Sequence, residues 1–289
     1  MRGRIIPFFE KTTETFSYII ADPATKAAAI VDPVLDYDPA AGRITTHSAD
    51  AIVKTIEAEG LNVELILETH VHADHLTAAA YLKKKFGCRL ASGSNVRTVQ
   101  QQLGDMFNDQ PRIESGYGFD HLFEDNEIFR IGSLEAKALY TPGHTPADMS
   151  YLVEDVAFVG DTLFMPDYGT ARCDFPGGDA RAMYRSIRRI LQLPPETRLF
   201  MCHDYPPAGR AHACETTVAK ERAENIHIHD GVTEEAFVAL RTARDSTLAT
   251  PRLFLPSLQL NMRAGELPPP ESNGRRYFKI PIETPPLWS

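Results

Sequence analysis

The sequence predicts an α/β fold, and three observations carry the prediction. Short apolar runs of strand length alternate with longer segments of helical composition along the 289 residues. The run at 63–67 leads into Glu68-Thr69-His70-Val71-His72-Ala73-Asp74-His75 and then into a helical stretch at 76–86, so strand, ligand-bearing loop and helix follow one another. Finally, His70, His144, Asp161 and His203 each follow an apolar strand at its C-terminal end. Open α/β sheets place their binding sites at such edges.

Taken in order, residues 15–21 and 27–32 read as two strands joined by a turn at Asp22-Pro23, and Asp32-Pro33 closes the second. Residues 36–47 are polar and turn-rich, an expected surface loop. Ser48 is the expected cap of a helix over 49–59, with Ile52, Val53 and Ile56 on one face and Gly60 as its stop. Beyond the ligand-bearing loop and its helix, residues 88–91 read as a short strand and 94–107 as a helix. Residues 127–131 and 134–140 form a hairpin across Gly132-Ser133, and the run ends at Thr141-Pro142-Gly143-His144. A second strand pair, 149–153 and 156–159, turns at Glu154-Asp155 and leads into Gly160-Asp161.

Residues 180–191 read as a basic amphipathic helix whose Arg185, Arg188 and Arg189 make a solvated face. A strand at 199–202 ends at His203-Asp204-Tyr205, and 215–225 and 234–249 are two more helices. From Leu253 on, proline-rich and short apolar pieces predict a tail laid over the surface. No internal repeat appears, and neither Pro194-Pro195 nor Pro268-Pro269-Pro270 separates two regions that could each carry a core. One domain over 1–289 is expected, with 250–289 wrapping over it.

Composition narrows the function classes. The chain is 43% hydrophobic and 24% charged, enough to bury a core. A net charge of −9 argues against nucleic acid or an anionic membrane as partner. No segment reaches the roughly eighteen continuous apolar residues of a membrane span, and the N-terminus lacks the apolar run of a signal peptide. Cys88, Cys173, Cys202 and Cys214 form no CxxC pair, and free thiols fit a reducing cytoplasm.

Three imidazoles and a carboxylate between His70 and His75 offer the nitrogen and oxygen donors that suit zinc or non-haem iron. Gly143 and Gly160 let the backbone turn where His144 and Asp161 leave the sheet, and Thr141-Pro142 stiffens that approach. His227 and His229 alternate with Ile and have no third ligand nearby, so a structural role is expected. Cys202 and His203, as neighbours on a strand, should point to opposite faces.

The motifs Thr69-His70-Val71-His72-Ala73-Asp74-His75, Thr141-Pro142-Gly143-His144-Thr145, Gly160-Asp161 and His203 together resemble the metallo-β-lactamase superfamily. The resemblance implies an αββα sandwich, two central mixed β-sheets flanked by helices. It also implies places for two metals: His70, His72 and His144 on one, Asp74, His75 and His203 on the other, Asp161 bridging. The surrounding residues, including Gly160-Asp161-Thr162-Leu163-Phe164, Arg172-Cys173-Asp174-Phe175 and Cys202-His203-Asp204-Tyr205, look like the ETHE-type persulfide dioxygenase branch. The stretch from Met165 to Gly178, with Leu255-Pro256-Ser257 and Asn261-Met262-Arg263, resembles its bacterial type II subgroup.

That branch implies one iron(II), Fe(2+), per chain on His70, His144 and Asp161, the facial triad of two imidazoles and a carboxylate. His72, Asp74, His75 and His203 would then orient ligands and waters. Arg172 and Tyr205 match positions that hold glutathione. The implied reaction converts glutathione persulfide and O2 to sulfite and glutathione, a sulfide-detoxifying step, in an enzyme that is often a homodimer. The fused rhodanese domain of some relatives is not expected, because no Cys follows Cys214. A glyoxalase II-like hydrolase with two Zn(2+) uses the same residues, and a metal-bound sulfide or redox sensor is the non-enzyme alternative.

Overall fold

In the computed structural model, which describes residues 2–109 and 116–282, two six-stranded sheets face each other. The first runs in the order β1 (Arg4–Glu10), β2 (Thr15–Ala21), β3 (Ala27–Val31), β6 (Asn62–Leu67), β8 (Arg89–Gly93) and β9 (His121–Phe123). The second runs β10 (Ile128–Ile131), β11 (Leu134–Tyr140), β12 (Met149–Val153), β13 (Val156–Phe158), β14 (Arg198–Phe200) and β15 (Glu215–Thr217). Both are mixed: β3 with β6, β6 with β8, β8 with β9 and β13 with β14 pair parallel, the others antiparallel.

Side-chain alternation along the strands explains the layering. On β2, Phe16, Tyr18 and Ile20 point between the sheets and meet Phe158 and Phe200, whereas Ile19 points to the opposite face. That outer face packs against α1 (His47–Glu59), α2 (Ala79–Phe86) and α7 (Phe254–Asn261) through Ile52, Ile56, Leu82 and Leu260. The outer face of the second sheet is covered by α4 (Ala180–Ile190), α5 (Val218–Glu224) and α6 (Glu234–Asp245), through Met183, Ile187, Val218 and Phe237. Strands covered on both faces are mostly apolar, and β2 is buried at every position, its Ser17 hydroxyl donating to Asp32 O at 2.7 Å. Each fully buried Ile or Phe contributes about 1.5–3 kcal/mol. The αββα sandwich expected from the sequence is the observed fold.

Several elements depart from expectation. The stretch 36–47 holds a hairpin, β4 (Val34–Asp38) with β5 (Arg43–Thr45), and β4 also pairs with β7 (Leu76–Thr77). Leu76 and Thr77 therefore belong to a strand, and α2 starts at Ala79. Ser48 does not cap α1; its hydroxyl donates to Asp36 Oδ1 at 2.7 Å. Gly60 does end that helix, in the left-handed conformation. β1, β9 and β15 escape a periodicity reading because two are three residues long and β1 is an only partly buried edge strand. The largest difference is α7. The stretch read as a surface tail begins with a helix whose Ser257, Leu258, Gln259, Leu260 and Asn261 are all buried. From 266 to 282 the chain is irregular and mostly exposed.

Candidate metal centre

Four strand ends deliver the site. His70 follows β6 of the first sheet; His144, Asp161 and His203 follow β11, β13 and β14 of the second. The sheets are tied together there: Met149 N donates to Thr69 O at 2.8 Å, Phe16 N to Cys202 O at 2.7 Å and the Tyr151 hydroxyl to Glu68 O at 2.9 Å. Gly160 (φ 51°) sits so near Thr69 that a Cβ would lie 2.7 Å from its Oγ1, so only glycine fits. At Gly143 a Cβ would come within 2.4 Å of the Met183 backbone.

The donor atoms converge without touching. His144 Nε2 lies 3.6 Å and His70 Nε2 4.0 Å from Asp161 Oδ2; His203 Nε2 lies 3.6 Å from Asp161 Oδ1 and 3.2 Å from Asp74 Oδ2. Most of these separations are wide for hydrogen bonds. They resemble the roughly 3–3.5 Å between two donors that share an ion about 2.1 Å away. His70 Nε2, His72 Nδ1, Asp74 Oδ2, His75 Nε2, Asp161 Oδ1 and His203 Nε2 are all buried without a hydrogen-bond partner. Each such orphan costs about 1–3 kcal/mol, so six around one space are the signature of a metal site.

The opposite nitrogen of each imidazole explains the aim. His144 Nδ1–H donates to the Arg172 carbonyl at 2.8 Å, which leaves Nε2 bare. His203 Nδ1 faces the Glu14 carbonyl and the Thr15 hydroxyl, both at 3.3 Å. His70 Nδ1 shares a hydrogen bond with Thr69 Oγ1 at 3.0 Å. His72 is reversed: its Nε2 meets Asp32 Oδ1 at 3.1 Å and Glu68 Oε2 at 3.2 Å, and its Nδ1 is bare. Burial and the neighbouring imidazoles hold His70 well below its usual pKa, so its lone pair is available. Burial alone would raise the Asp74 carboxyl, but His203 and His75 hold it far below the usual range, as an anion.

Asp32 is the centre's hidden organiser. Its carboxylate accepts from Thr69 N at 2.8 Å and Thr69 Oγ1 at 2.9 Å while also facing His72. The sequence reading used Asp32 only as a strand end, because nothing local distinguishes it from a turn aspartate. Its backbone sits at a positive φ of 46°, a conformation uncommon for a residue other than glycine.

Beside the donors lies a cavity of about 280 Å³ that reaches His144, Asp161 and Asp74. Aromatic walls come from Phe164, Tyr168, Phe175 and Tyr205, and three arginines, Arg172, Arg241 and Arg244, line it. Arg172, an expected substrate residue, is already engaged: its guanidinium grips Asp174 at 2.6 and 2.7 Å and donates to Ala249 O at 2.7 Å. Arg241 is buried and paired with Asp245. Arg244 lies 5.6 Å from the Tyr168 ring and pairs with no carboxylate among the described residues. Tyr205 stacks on His203, ring centroids 5.7 Å apart, and burial keeps its phenol protonated.

A model of the metallo-β-lactamase superfamily matches residues 12–203, the span that holds every one of these donors.

The chain belongs to the metallo-β-lactamase superfamily.

Among its relatives, a probable metallo-hydrolase of Burkholderia pseudomallei is 55% identical, with 96% of this chain and 98% of that one covered. A protein named glyoxylase B2 of Dictyostelium discoideum is 47% identical, with 97% of each covered. The crystal structure of ETHE1 from Myxococcus xanthus superposes with a TM-score of 0.73 at 28% identity, covering 92% of this chain and 100% of that one. The superfamily's metal-binding His/Asp cluster is thus present: His70, His144 and Asp161 form one donor group, His72, Asp74 and His75 another.

Further sequence expectations meet the structure here. Cys202 does not point away from His203. Donor atoms of Asp161, Cys202 and His203 lie within 4.8 Å of one another, because β14 ends at Phe200 and strand alternation has ceased. His227 is structural: its Nδ1 accepts from Thr170 N at 3.1 Å, behind the cavity wall. Arg185, Arg188 and Arg189 carry ion pairs to Glu234, Asp230 and Asp125. All four cysteines are free, and no helix among the described residues is long and apolar enough to cross a membrane.

Proposed function

We propose that the protein is an iron(II)-dependent persulfide dioxygenase of the bacterial type II subgroup, acting on glutathione persulfide: GSSH + O2 + H2O → GSH + SO3²⁻ + 2 H⁺. The observation that carries this reading is the cavity's position, which exposes His144 and Asp161 of the facial triad to a substrate. Iron(II) held by His70, His144 and Asp161 would supply the redox chemistry by which dioxygen reacts with a sulfane sulfur. The likeness to ETHE1 over that protein's whole length supports the same reading.

The chain's own residues divide the remaining work. Thr69 and the Arg172 carbonyl hold the two ligand imidazoles in aim. Phe164, Tyr168 and Phe175 give the sulfur an apolar wall that excludes bulk water. The Tyr205 hydroxyl, protonated and lining the cavity, donates to the bound thiol or peptide. Arg244, which lies over the Tyr168 ring and pairs with no carboxylate among the described residues, offers its guanidinium to a glutathione carboxylate, whereas Arg172 would have to release Asp174 to do so.

A dizinc thioester hydrolase is the second reading. It is favoured by the unpartnered atoms of Asp74, His75 and His203 and by the glyoxylase name of one relative. Metal analysis with oxygen-electrode measurements separates the two. About one iron per chain, with one O2 consumed per sulfite formed, is the expected result. About two zinc ions with cleavage of a glutathione thioester and no oxygen uptake would replace it.

A further inference from the structure

The C-terminal helix reaches the metal loop through one side chain. Asn261, the last residue of α7, is buried, and its amide is saturated by the loop backbone. Its Nδ2 donates to His72 O at 2.8 Å and to His75 O at 2.7 Å, and its Oδ1 accepts from Thr77 N at 2.9 Å. The loop between β6 and β7 has no ladder of its own, so the bonds to His72 O and His75 O hold its backbone carbonyls, and the bond from Thr77 N ties the same amide to β7. Asn261 is itself anchored, because Gln100 Nε2 on α3 (Val96–Phe107) donates to Met262 O at 2.8 Å.

We propose that Asn261 is a positioning residue of the metal centre, fixing the backbone from which His72 and His75 aim their rings. The consequence extends to His70, because the rings are in contact in series: His70 and His72 centroids lie 4.0 Å apart, His72 and His75 4.2 Å. A shift of either carbonyl therefore moves the bare Nδ1 of His72, the bare Nε2 of His75 and the ring against His70. The C-terminal segment, which lies outside the residues 12–203 that the superfamily model matches, is on this account part of the centre. The inference rests on the loop being the metal site and is independent of which reaction the metal serves.

The test compares Asn261→Ala and Asn261→Asp with Gln259→Ala. Gln259 is a buried amide on the same helix whose hydrogen bonds go to Leu255 and Lys279 instead of the loop, so it controls for a loosened helix. Each protein is stripped of metal and titrated with cobalt(II), and visible absorption and dissociation rate are recorded at equal loading. Both Asn261 variants should change the ligand-field spectrum and release cobalt roughly tenfold or more faster, in the range usual for loss of a ligand-orienting partner. Gln259→Ala should keep the wild-type spectrum even where its melting temperature falls. A wild-type spectrum and release rate in Asn261→Ala, or the same spectral change in Gln259→Ala, would overturn the assignment. Because no persulfide is present, failure of this test is distinct from failure of the dioxygenase reading.

Discussion

At the scale of single residues, the centre consists of strand-end donors and the buried groups that orient them, and the two respond differently to substitution. Asp161→Ala removes a carboxylate that faces His70, His144 and His203 at once. It should lose metal and turnover together, read by metal analysis and oxygen uptake; a variant that keeps both would refute the triad. Asp32→Ala leaves Thr69 N buried without its acceptor and His72 Nε2 facing Glu68 alone. The expected result is metal affinity lowered by roughly 10–100-fold and folding weakened by about 1–3 kcal/mol, measured by chelator competition and urea unfolding. Arg244→Ala should raise KM for glutathione persulfide about tenfold or more with kcat nearly unchanged. Arg172→Ala should instead lower stability, because it frees Asp174 and the Ala249 carbonyl. The donors were legible in the sequence because each ends an apolar strand. Asp32 and Asn261 were not, since their partners lie 37 and 189 residues away in the chain.

At the scale of elements, the cavity wall formed by 164–175 is held from behind by α5 and α6. Asn225 Nδ2 donates to Gly169 O at 3.0 Å and to Glu221 Oε2 at 2.6 Å, and Asp245 Oδ2 accepts from Cys173 N at 2.8 Å. Burial pushes the Glu221 carboxyl up to about 8 from its ordinary 4.5. The folded protein thus holds this proton where the unfolded chain has lost it. Stability from Glu221 is complete below about pH 4.5 and drains away as pH rises toward about 8. Glu221→Gln mimics the protonated acid, so its stability advantage over wild type should grow with pH across that window in urea titrations. An advantage independent of pH would disprove the buried neutral acid. The hairpins at Gly132-Ser133 and Glu154-Asp155 could be read from turn chemistry. β4, β5 and α7 could not, because β4 and β5 are short and partly polar and α7 has Pro256 in its first turn.

At the scale of the whole molecule, the metal centre and the sandwich support each other. The donors come from both sheets, so an ion bound there cross-links them, while six buried polar atoms without one weaken the metal-free fold. Chelation should therefore lower the melting temperature, and restoring metal at a hundredfold excess over its dissociation constant should return about 2.7 kcal/mol of stability. Calorimetry with and without chelator checks this; equal melting temperatures would mean the donors do not hold a metal. The sequence by itself determined an α/β class, through strand-length apolar runs between helical segments, and the four strand-end donors, through their position after those runs; the αββα layering came from the resemblance of its motifs to the superfamily. Only the tertiary structure decided that Arg172 is spent on Asp174, that Arg244 lies over Tyr168 with no carboxylate partner among the described residues, that Cys202 turns inward, and that Asn261 of α7 bonds the metal loop. Those outcomes depend on which distant groups compete for the same hydrogen bonds, and local composition carries no record of that competition. Packing alone settles it.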